Sequence, residues 1–239
     1  VSGSTAKRKK VIGIVCIHVD DALFHGTKEF SKYLVEQIQK DFEIGSQDTN
    51  DIMFTGQRLR WIKKGQDGQY ISVDQDLKVE EISEIDVPKE MRNDDTKECD
   101  PYLHTKYRSL LGKINWIQSR TRFDAAYAFS RCASKAANPN IGDLKALNKL
   151  CRTVRGQHIA LHYWPLKRDN NGTKHWRLVG YPDAGYQNNK PDKTSQRGQC
   201  IFLCEPRNDN RIKQGEHVRQ CDTRGSLIDY ESHKIKKTV

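Results

Sequence analysis

The stretch Val11-Ile12-Gly13-Ile14-Val15-Cys16-Ile17-His18-Val19-Asp20-Asp21-Ala22-Leu23-Phe24-His25-Gly26 organises the rest of the chain. A continuous apolar run, rich in β-branched residues, is followed by two adjacent carboxylates and by a second short apolar run that ends in glycine. This order predicts a strand, a tight turn and a second strand, with Asp20 and Asp21 at the tip of the hairpin.

The paired aspartates allow two interpretations. Aspartate is common in turns because its side chain bonds to the nearby backbone, so the pair can be a plain polar turn. The first strand, however, is apolar on both faces, which predicts a hairpin buried in a sheet, where charges need a partner such as a metal. Paired carboxylates suit Mg²⁺, and two such ions can activate a 3′-hydroxyl and stabilise a leaving pyrophosphate.

Composition narrows the class of protein. The 239 residues are enough for one large or two modest domains with a proper core. The excess of 41 basic over 31 acidic residues gives a net charge of +10, which suits a polyanionic partner. The aromatic residues are scattered, so no stacking platform for single strands is expected.

No apolar run approaches the roughly 18 residues of a membrane span, and the basic start at residues 7–10 leads into a short strand. We therefore expect an intracellular protein with no secretion signal and no membrane partner.

The seven cysteines are odd in number and irregularly spaced, which favours small buried hydrophobic side chains in a reducing compartment. The spacing Cys200-x3-Cys204-x12-His217-x3-Cys221 falls within the range of a zinc finger. The residues between Cys204 and His217 include only one apolar side chain, Ile212, which leaves almost nothing for the core of a finger. Cys200 and Cys204 also lie in a run that predicts a strand, so zinc binding is the alternative and not the main interpretation.

The first half of the chain alternates predicted helix and strands. Thr27 is expected to cap a helix that runs to about Phe42, with an apolar residue at every fourth position packed on a sheet. Residues 51–61 and 69–73 predict two strands that flank a hairpin turn at 63–68. Four basic residues of this hairpin can either contact phosphates or form an exposed charged surface: Arg58, Arg60, Lys63 and Lys64.

The second half begins with a polar segment, residues 86–105, which predicts a linker. Residues 106–138 predict a helical segment, and residues 141–155 predict a further helix that ends at Gly156. The apolar side chains expected on the inner faces of these helices are Leu110, Ile114, Ile117, Leu144, Leu147, Cys151 and Val154. Short strands with polar turns between them are expected at 176–181, 199–204 and 225–234.

Several motifs resemble one family in their order and approximate spacing. Val19-Asp20-Asp21, an apolar pair and Gly26 resemble the Y-x-D-D hairpin in the palm of a reverse transcriptase, with His18 at the usual tyrosine position. From about Val11 to its end, the chain resembles the Pol polyprotein of a copia-type long-terminal-repeat retrotransposon. The other motifs are Phe54-Thr55-Gly56, Tyr70 and Gln75, Tyr107-Arg108-Ser109-x2-Gly112, Thr121-Arg122-x-Asp124-x2-Tyr127-Ala128, Asn138-Pro139, Lys145-Ala146-Leu147, Leu161-His162-Tyr163, Gly180-Tyr181-x-Asp183-Ala184 and Ser195-x2-Gly198.

The resemblance implies an α+β protein made of parts of two domains. After a basic leader at 1–10, residues 11–85 would form the end of the reverse transcriptase palm. A linker at 86–105 would lead to thumb or connection helices at 106–165. Residues 166–239 would form an incomplete ribonuclease H-like α/β domain.

The resemblance also implies the chemistry. Asp20 and Asp21 would bind catalytic Mg²⁺ for RNA-directed DNA synthesis, and Asp183 would bind metal for hydrolysis of RNA in the hybrid. The partners would be an RNA template, a DNA primer, the RNA–DNA hybrid and the remainder of the polyprotein, in cytoplasmic particles and the nucleus. The chain departs from the family at His18, Phe123 and Pro182, and Gly185-Tyr186 replaces an acidic-aromatic pair.

Both implied sites need carboxylates that this sequence does not supply in the family's positions: an aspartate on a strand before the hairpin, and a glutamate with further aspartates after the third ribonuclease H strand. We therefore expect the isolated chain neither to polymerise nor to cleave. The alternative function is a non-catalytic, basic nucleic-acid-binding remnant of a transposable element. Binding in either case should weaken steeply with salt.

Overall fold

A computed structural model describes residues 11–64, 68–165, 176–189, 194–204 and 225–235. The chain divides into two compact units, Val1–Thr55 and Gly56–Val239, which are described separately below. The basic leader at 1–10, the turn residues 65–67 and two of the four residues in the zinc-like spacing, His217 and Cys221, lie outside the described residues.

The first unit is a hairpin followed by a helix and a short strand. Strand β1 (Gly13–His18) pairs antiparallel with β2 (Asp21–Gly26), and α1 (Lys28–Asp41) and β3 (Asp51–Phe54) follow. The predicted strand, tight turn and strand are confirmed, as is the helix that begins after Thr27. The Thr27 hydroxyl accepts a hydrogen bond from the Phe30 amide at 3.2 Å, which satisfies a donor that the helix itself leaves unpaired.

Helix α1 is positioned by close contact between Phe30 and a pair of glycines. Gly13 and Gly26 face each other across the hairpin, and the Phe30 ring lies against both. A Cβ atom added to Gly26 would be 2.4 Å from this ring and 2.7 Å from the Ile12 carbonyl oxygen. The absence of side chains at these two positions therefore lets the ring approach the backbone of the sheet.

The expectation that the hairpin is buried is wrong for the described part of this unit. Ile14 and Ile17 are 67% and 76% exposed, and no residue of α1 is fully buried. The first strand is apolar on both faces as predicted, but a two-stranded sheet with a single helix offers no layer to cover its second face.

The second unit combines antiparallel strands with a helical core, so the chain is α+β in general. Strands β4 (Gln57–Lys64), β5 (Gly68–Asp74) and β6 (Leu161–Tyr163) are antiparallel neighbours. Between β5 and β6 lie α2 (Asp76–Glu80), α3 (Pro101–Gln118), α4 (Ala126–Ala133) and α5 (Ile141–Gly156), with 3₁₀ turns at Lys89–Met91 and Phe123–Ala125. A second antiparallel sheet has the order β7 (Arg177–Asn189), β8 (Thr194–Cys204) and β9 (Gly225–Ile235).

Several element boundaries differ from expectation. The single strand expected at 51–61 is two strands, because Thr55 and Gly56 adopt φ values of 51° and 73° that turn the backbone between β3 and β4. The linker expected at 86–105 ends earlier, because Asp100 caps α3 by accepting from the Leu103 amide at 2.8 Å and Pro101 fits the first helical turn. The helical segment expected at 106–138 is interrupted after Gln118, and α4 ends at Ala133.

The helices bury the larger of two hydrophobic clusters. All seven apolar side chains predicted for the inner faces of α3 and α5 are buried. Tyr107 lies among them and donates a hydrogen bond to the Cys132 carbonyl oxygen at 2.8 Å. The cluster consists of Ile82, Met91, Leu103, Tyr107, Leu110, Leu111, Ile114, Ile117, Ala125, Cys132, Ile141, Leu144, Leu147, Leu150, Cys151 and Val154.

The prediction that the cysteines are small buried side chains is confirmed for some of them. Cys132, Cys151 and Cys204 are buried, and burial raises the pKa of the Cys132 thiol to about 11, while Cys16 is exposed. Cys200 and Cys204 lie on β8, as the strand prediction required. Within the described ranges, no helix combines the length and the apolar character needed to cross a membrane.

Candidate functional site

The tip of the first hairpin presents two adjacent carboxylates to solvent. His18 and Asp21 are the last cross-strand pair, so Val19 and Asp20 form the turn between them. Asp20 and Asp21 are both exposed. Val19 has a φ of 53°, in the left-handed region that β-branched residues rarely adopt. This costly backbone conformation is the kind of strain that structures retain at functional sites.

The donor atoms at this tip fit a hard divalent cation. Mg²⁺ is commonly held by one or two carboxylates, with water and substrate phosphates completing its octahedral shell. Asp20 and Asp21 supply two such carboxylates from consecutive positions of the chain. Among the described residues, however, no group of three or more His, Cys, Asp or Glu side chains is arranged to hold a metal ion. The hairpin therefore has suitable ligand chemistry and only part of a two-metal site.

His18 occupies the position where the resembled motif has tyrosine. Its ring lies 6.4 Å from the Phe54 ring, in an edge-to-face arrangement with an interplanar angle of 75°. Aromatic pairs prefer this geometry. The histidine therefore packs at the end of β1 against β3, as an aromatic ring in this position would.

Asp183 lies in the second unit, and the structure places it in mid-strand. The sequence predicted a strand at 176–181 with Asp183 just beyond it, but β7 continues to Asn189. Asp183 faces Gly198 on β8 and is exposed. Because Gly198 has no side chain, the neighbouring strand places nothing beside the carboxylate at this register position. Pro182, the departure from the family, lies on the same strand without ending it.

The four basic residues of the β4–β5 hairpin have different surroundings. The Arg60 guanidinium donates to Asp74 at 2.7 Å, and the Asp74 side chain is only 1% exposed. Arg58 is half-buried and Lys63 is exposed, while the Lys64 side chain lies outside the described residues. Arg60 is therefore not part of a simple exposed basic surface, because its guanidinium forms an ion pair with the buried Asp74 carboxylate.

Helix α3 carries a surface that the sequence reasoning did not single out. Tyr102, Lys106, Ser109, Lys113 and Trp116 lie at successive intervals of four and three positions along the helix, and Arg120 follows two residues after its end; we call this set the α3 face. The helix contains no acidic residue. The Lys106 ammonium lies 5.4 Å from the centre of the Tyr102 ring, and the Arg120 guanidinium lies 4.8 Å from the Trp116 ring.

The α3 face could have been found from its period and charge. Residues spaced by three and four positions line one side of a helix, and a helix with basic and aromatic residues but no carboxylate is suited to a polyanion. The aromatic residues judged to be scattered along the sequence are therefore, in two cases, aligned with cations on one surface.

Comparisons with family models, curated proteins and solved structures gave no match to this chain.

Proposed function

We propose that this chain is part of the RNA-directed DNA polymerase and ribonuclease H of a copia-type retrotransposon Pol polyprotein. The observation that carries the proposal is the turn of the first hairpin, where Val19 adopts a φ of 53° and the consecutive residues Asp20 and Asp21 are exposed. Within the polyprotein these carboxylates would hold Mg²⁺ for nucleotidyl transfer, and Asp183 would hold metal for hydrolysis of the RNA strand.

The roles of the residues follow from their positions. When bound, the magnesium ion lowers the pKa of the primer 3′-hydroxyl and neutralises charge on the leaving pyrophosphate. Asp20, in the turn, and Asp21, at the first position of β2, would hold the ion. RNA template, DNA primer and their hybrid are the proposed partners, together with the remainder of the polyprotein.

The α3 face supports a nucleic-acid partner independently of the hairpin. Lys106 and Lys113 supply positive charge along one side of the helix and Arg120 adds charge just beyond its end, while Trp116 and Tyr102 are exposed beside them. Cations neutralise phosphates and release counterions, while exposed rings can contact sugars and bases. This surface also favours the second candidate function, a nucleic-acid-binding remnant without catalysis.

Substitution of Asp20 separates the two candidates. In the polyprotein that contains this chain, Asp20→Asn should reduce primer extension by about a hundredfold or more, as expected when charge stabilisation of the transition state is lost. Binding of a primer–template duplex should hardly change. The matched control is Asp48→Asn, an exposed aspartate of the same unit outside the hairpin. Equal synthesis by the two variants would reject the polymerase proposal.

Binding by the 239-residue chain alone tests the α3 face. We expect no template-dependent synthesis in magnesium, but affinity for duplex that falls steeply as salt is raised. Lys113→Ala should lower the slope of log affinity against log salt by about one, because one phosphate contact is lost. Lys149→Ala, which removes an exposed lysine of α5, is the control. A salt-independent affinity would reject both candidate functions.

A further inference from the structure

Strand β1 has an open edge. Its sheet has only two strands, so β2 occupies one edge of β1, and no strand in the described part of the chain pairs with the other. The Thr27 amide donates to the Ile12 carbonyl oxygen at 2.9 Å, which extends the β1–β2 register by one hydrogen-bonded pair. Such pairs alternate with non-hydrogen-bonded pairs along an antiparallel ladder. The backbone N–H and C=O groups of Gly13, Val15 and Ile17 therefore point to the open edge.

The open edge lacks the features that usually prevent pairing with another chain. Edge strands commonly carry charged side chains or proline for this purpose. Residues 11–19 contain no Asp, Glu, Lys, Arg or Pro. The edge of β2 differs, because Asp21 begins this strand and Asp20 lies in the turn before it. Of the two outer edges of the hairpin, the edge of β1 is therefore the one suited to pairing.

This edge is complementary to itself. Antiparallel pairing with β1 of a second copy, about a two-fold axis at Val15, places Val15 opposite its own counterpart and Gly13 opposite Ile17 of the second copy. All the outward backbone groups of these residues then have hydrogen-bond partners. The intervening pairs bring Ile14 opposite Cys16 of the second copy. Because the two strands run in opposite directions, the acidic hairpin tips lie at opposite ends of the new sheet and do not repel each other.

A second copy also supplies what the hairpin lacks. A two-stranded hairpin alone is marginally stable, and three or more strands with a hydrophobic face are needed for independent stability. Helix α1 has no fully buried residue, so it does not complete a core for the hairpin. Pairing of two copies produces a four-stranded sheet in which both β1 strands are internal. An internal position suits a strand that is apolar on both faces.

We propose that two copies of this chain associate through the open edges of β1, with the two-fold axis at Val15. The contact consists of backbone hydrogen bonds and apolar side chains. It uses neither metal nor nucleic acid, so the failure of this proposal and the failure of the polymerase proposal are separate results.

The first test is sedimentation equilibrium of the 239-residue chain after nuclease treatment, over a wide range of protein concentration. We expect a reversible equilibrium between monomer and dimer that high salt does not weaken, because salt screens exposed charges and this edge has none. A chain that stays monomeric at every concentration would overturn the proposal. A dimer that dissociates in high salt would also overturn it, because charged groups or bound nucleic acid would then join the copies.

The second test places a charge on the edge. Ile14→Lys should weaken dimerisation by about fivefold or more, because an apolar cross-strand contact is lost on each side of the axis. The matched control is Tyr33→Lys on α1, because the two side chains are similarly exposed, at 67% for Ile14 and 62% for Tyr33. The control should leave dimerisation unchanged. Equal effects of the two substitutions would contradict the assignment to β1.

The third test fixes the register by oxidative cross-linking. Non-hydrogen-bonded pairs bring Cα atoms to about 4.5 Å, within the range of about 4.4–6.8 Å that a disulfide spans. Ile14→Cys should therefore form an intermolecular disulfide with the native Cys16 of the second copy, identified by mass spectrometry of the linked peptides. Ile12→Cys, which lies opposite His18 of the second copy, should not. Absence of the 14–16 link, or equal cross-linking of both variants, would overturn the proposed pairing.

Discussion

Arg122, which belongs to the Thr121-Arg122-x-Asp124 motif, stabilises the fold through buried contacts. Its side chain is 2% exposed and forms a two-pronged ion pair with Asp124, with Nε and Nη2 each 2.9 Å from a carboxylate oxygen. Nη1 donates to the carbonyl oxygens of Val154 at 2.6 Å and Gln157 at 3.1 Å. The Thr-Arg-x-Asp motif thus binds the carboxyl end of α5, where helix carbonyls lack partners within the helix.

Replacing this arginine should destabilise the protein strongly. Arg122→Met leaves Asp124 and two carbonyl groups without their donor, and breaking such a buried pair typically costs about 3 kcal/mol in the free energy of unfolding. Urea denaturation measures the loss. Arg120→Met, which removes an exposed arginine near Trp116, should cost about 1 kcal/mol or less. Similar losses for both variants would show that the carbonyl contacts contribute little.

At the scale of the element, α1 depends on the glycine pair of the hairpin. Gly26→Ala would place a methyl group against the Phe30 ring and the backbone of Ile12, so the helix must shift. Overpacking of this kind costs about 1–3 kcal/mol. Hydrogen exchange of the α1 amides should therefore become faster. Gly45→Ala is the matched control, because nothing lies within 4 Å of its added Cβ, and it should leave this exchange unchanged.

At the scale of the whole molecule, the buried apolar side chains are unevenly shared. Within the described residues, every buried hydrophobic side chain belongs to the second unit. Helix α5 has seven buried residues and α1 has none. Local opening requires less free energy where few apolar contacts must be broken. The amides of α1 should consequently exchange much faster than those of α5 in native-state hydrogen exchange, and equal protection of both helices would contradict this.

Local features could be predicted because their causes lie within a few residues. The hairpin follows from an apolar run broken by two aspartates, α1 from its capping threonine, and α5 from its apolar period. The capping box of Asn140 and Asp143 at the start of α5 is a finding of the structure. The position of Asp20 and Asp21 at the hairpin tip belongs to this class, because the two residues are adjacent in the chain, whereas their exposure was not predicted. Helix and turn hydrogen bonds span only a few positions, so the pattern of residue types is sufficient.

Tertiary structure alone decided the features that join distant segments. Arg60 forms an ion pair with Asp74, and the Arg122 guanidinium donates to carbonyl groups at the end of α5. The Tyr70 ring lies 4.6 Å from that of His162, which comes from a strand far along the chain. The exposure of β1 was likewise missed. The sequence of an apolar strand predicts a preference for burial. It does not predict which other segment packs on the strand, because that segment is distant in the chain.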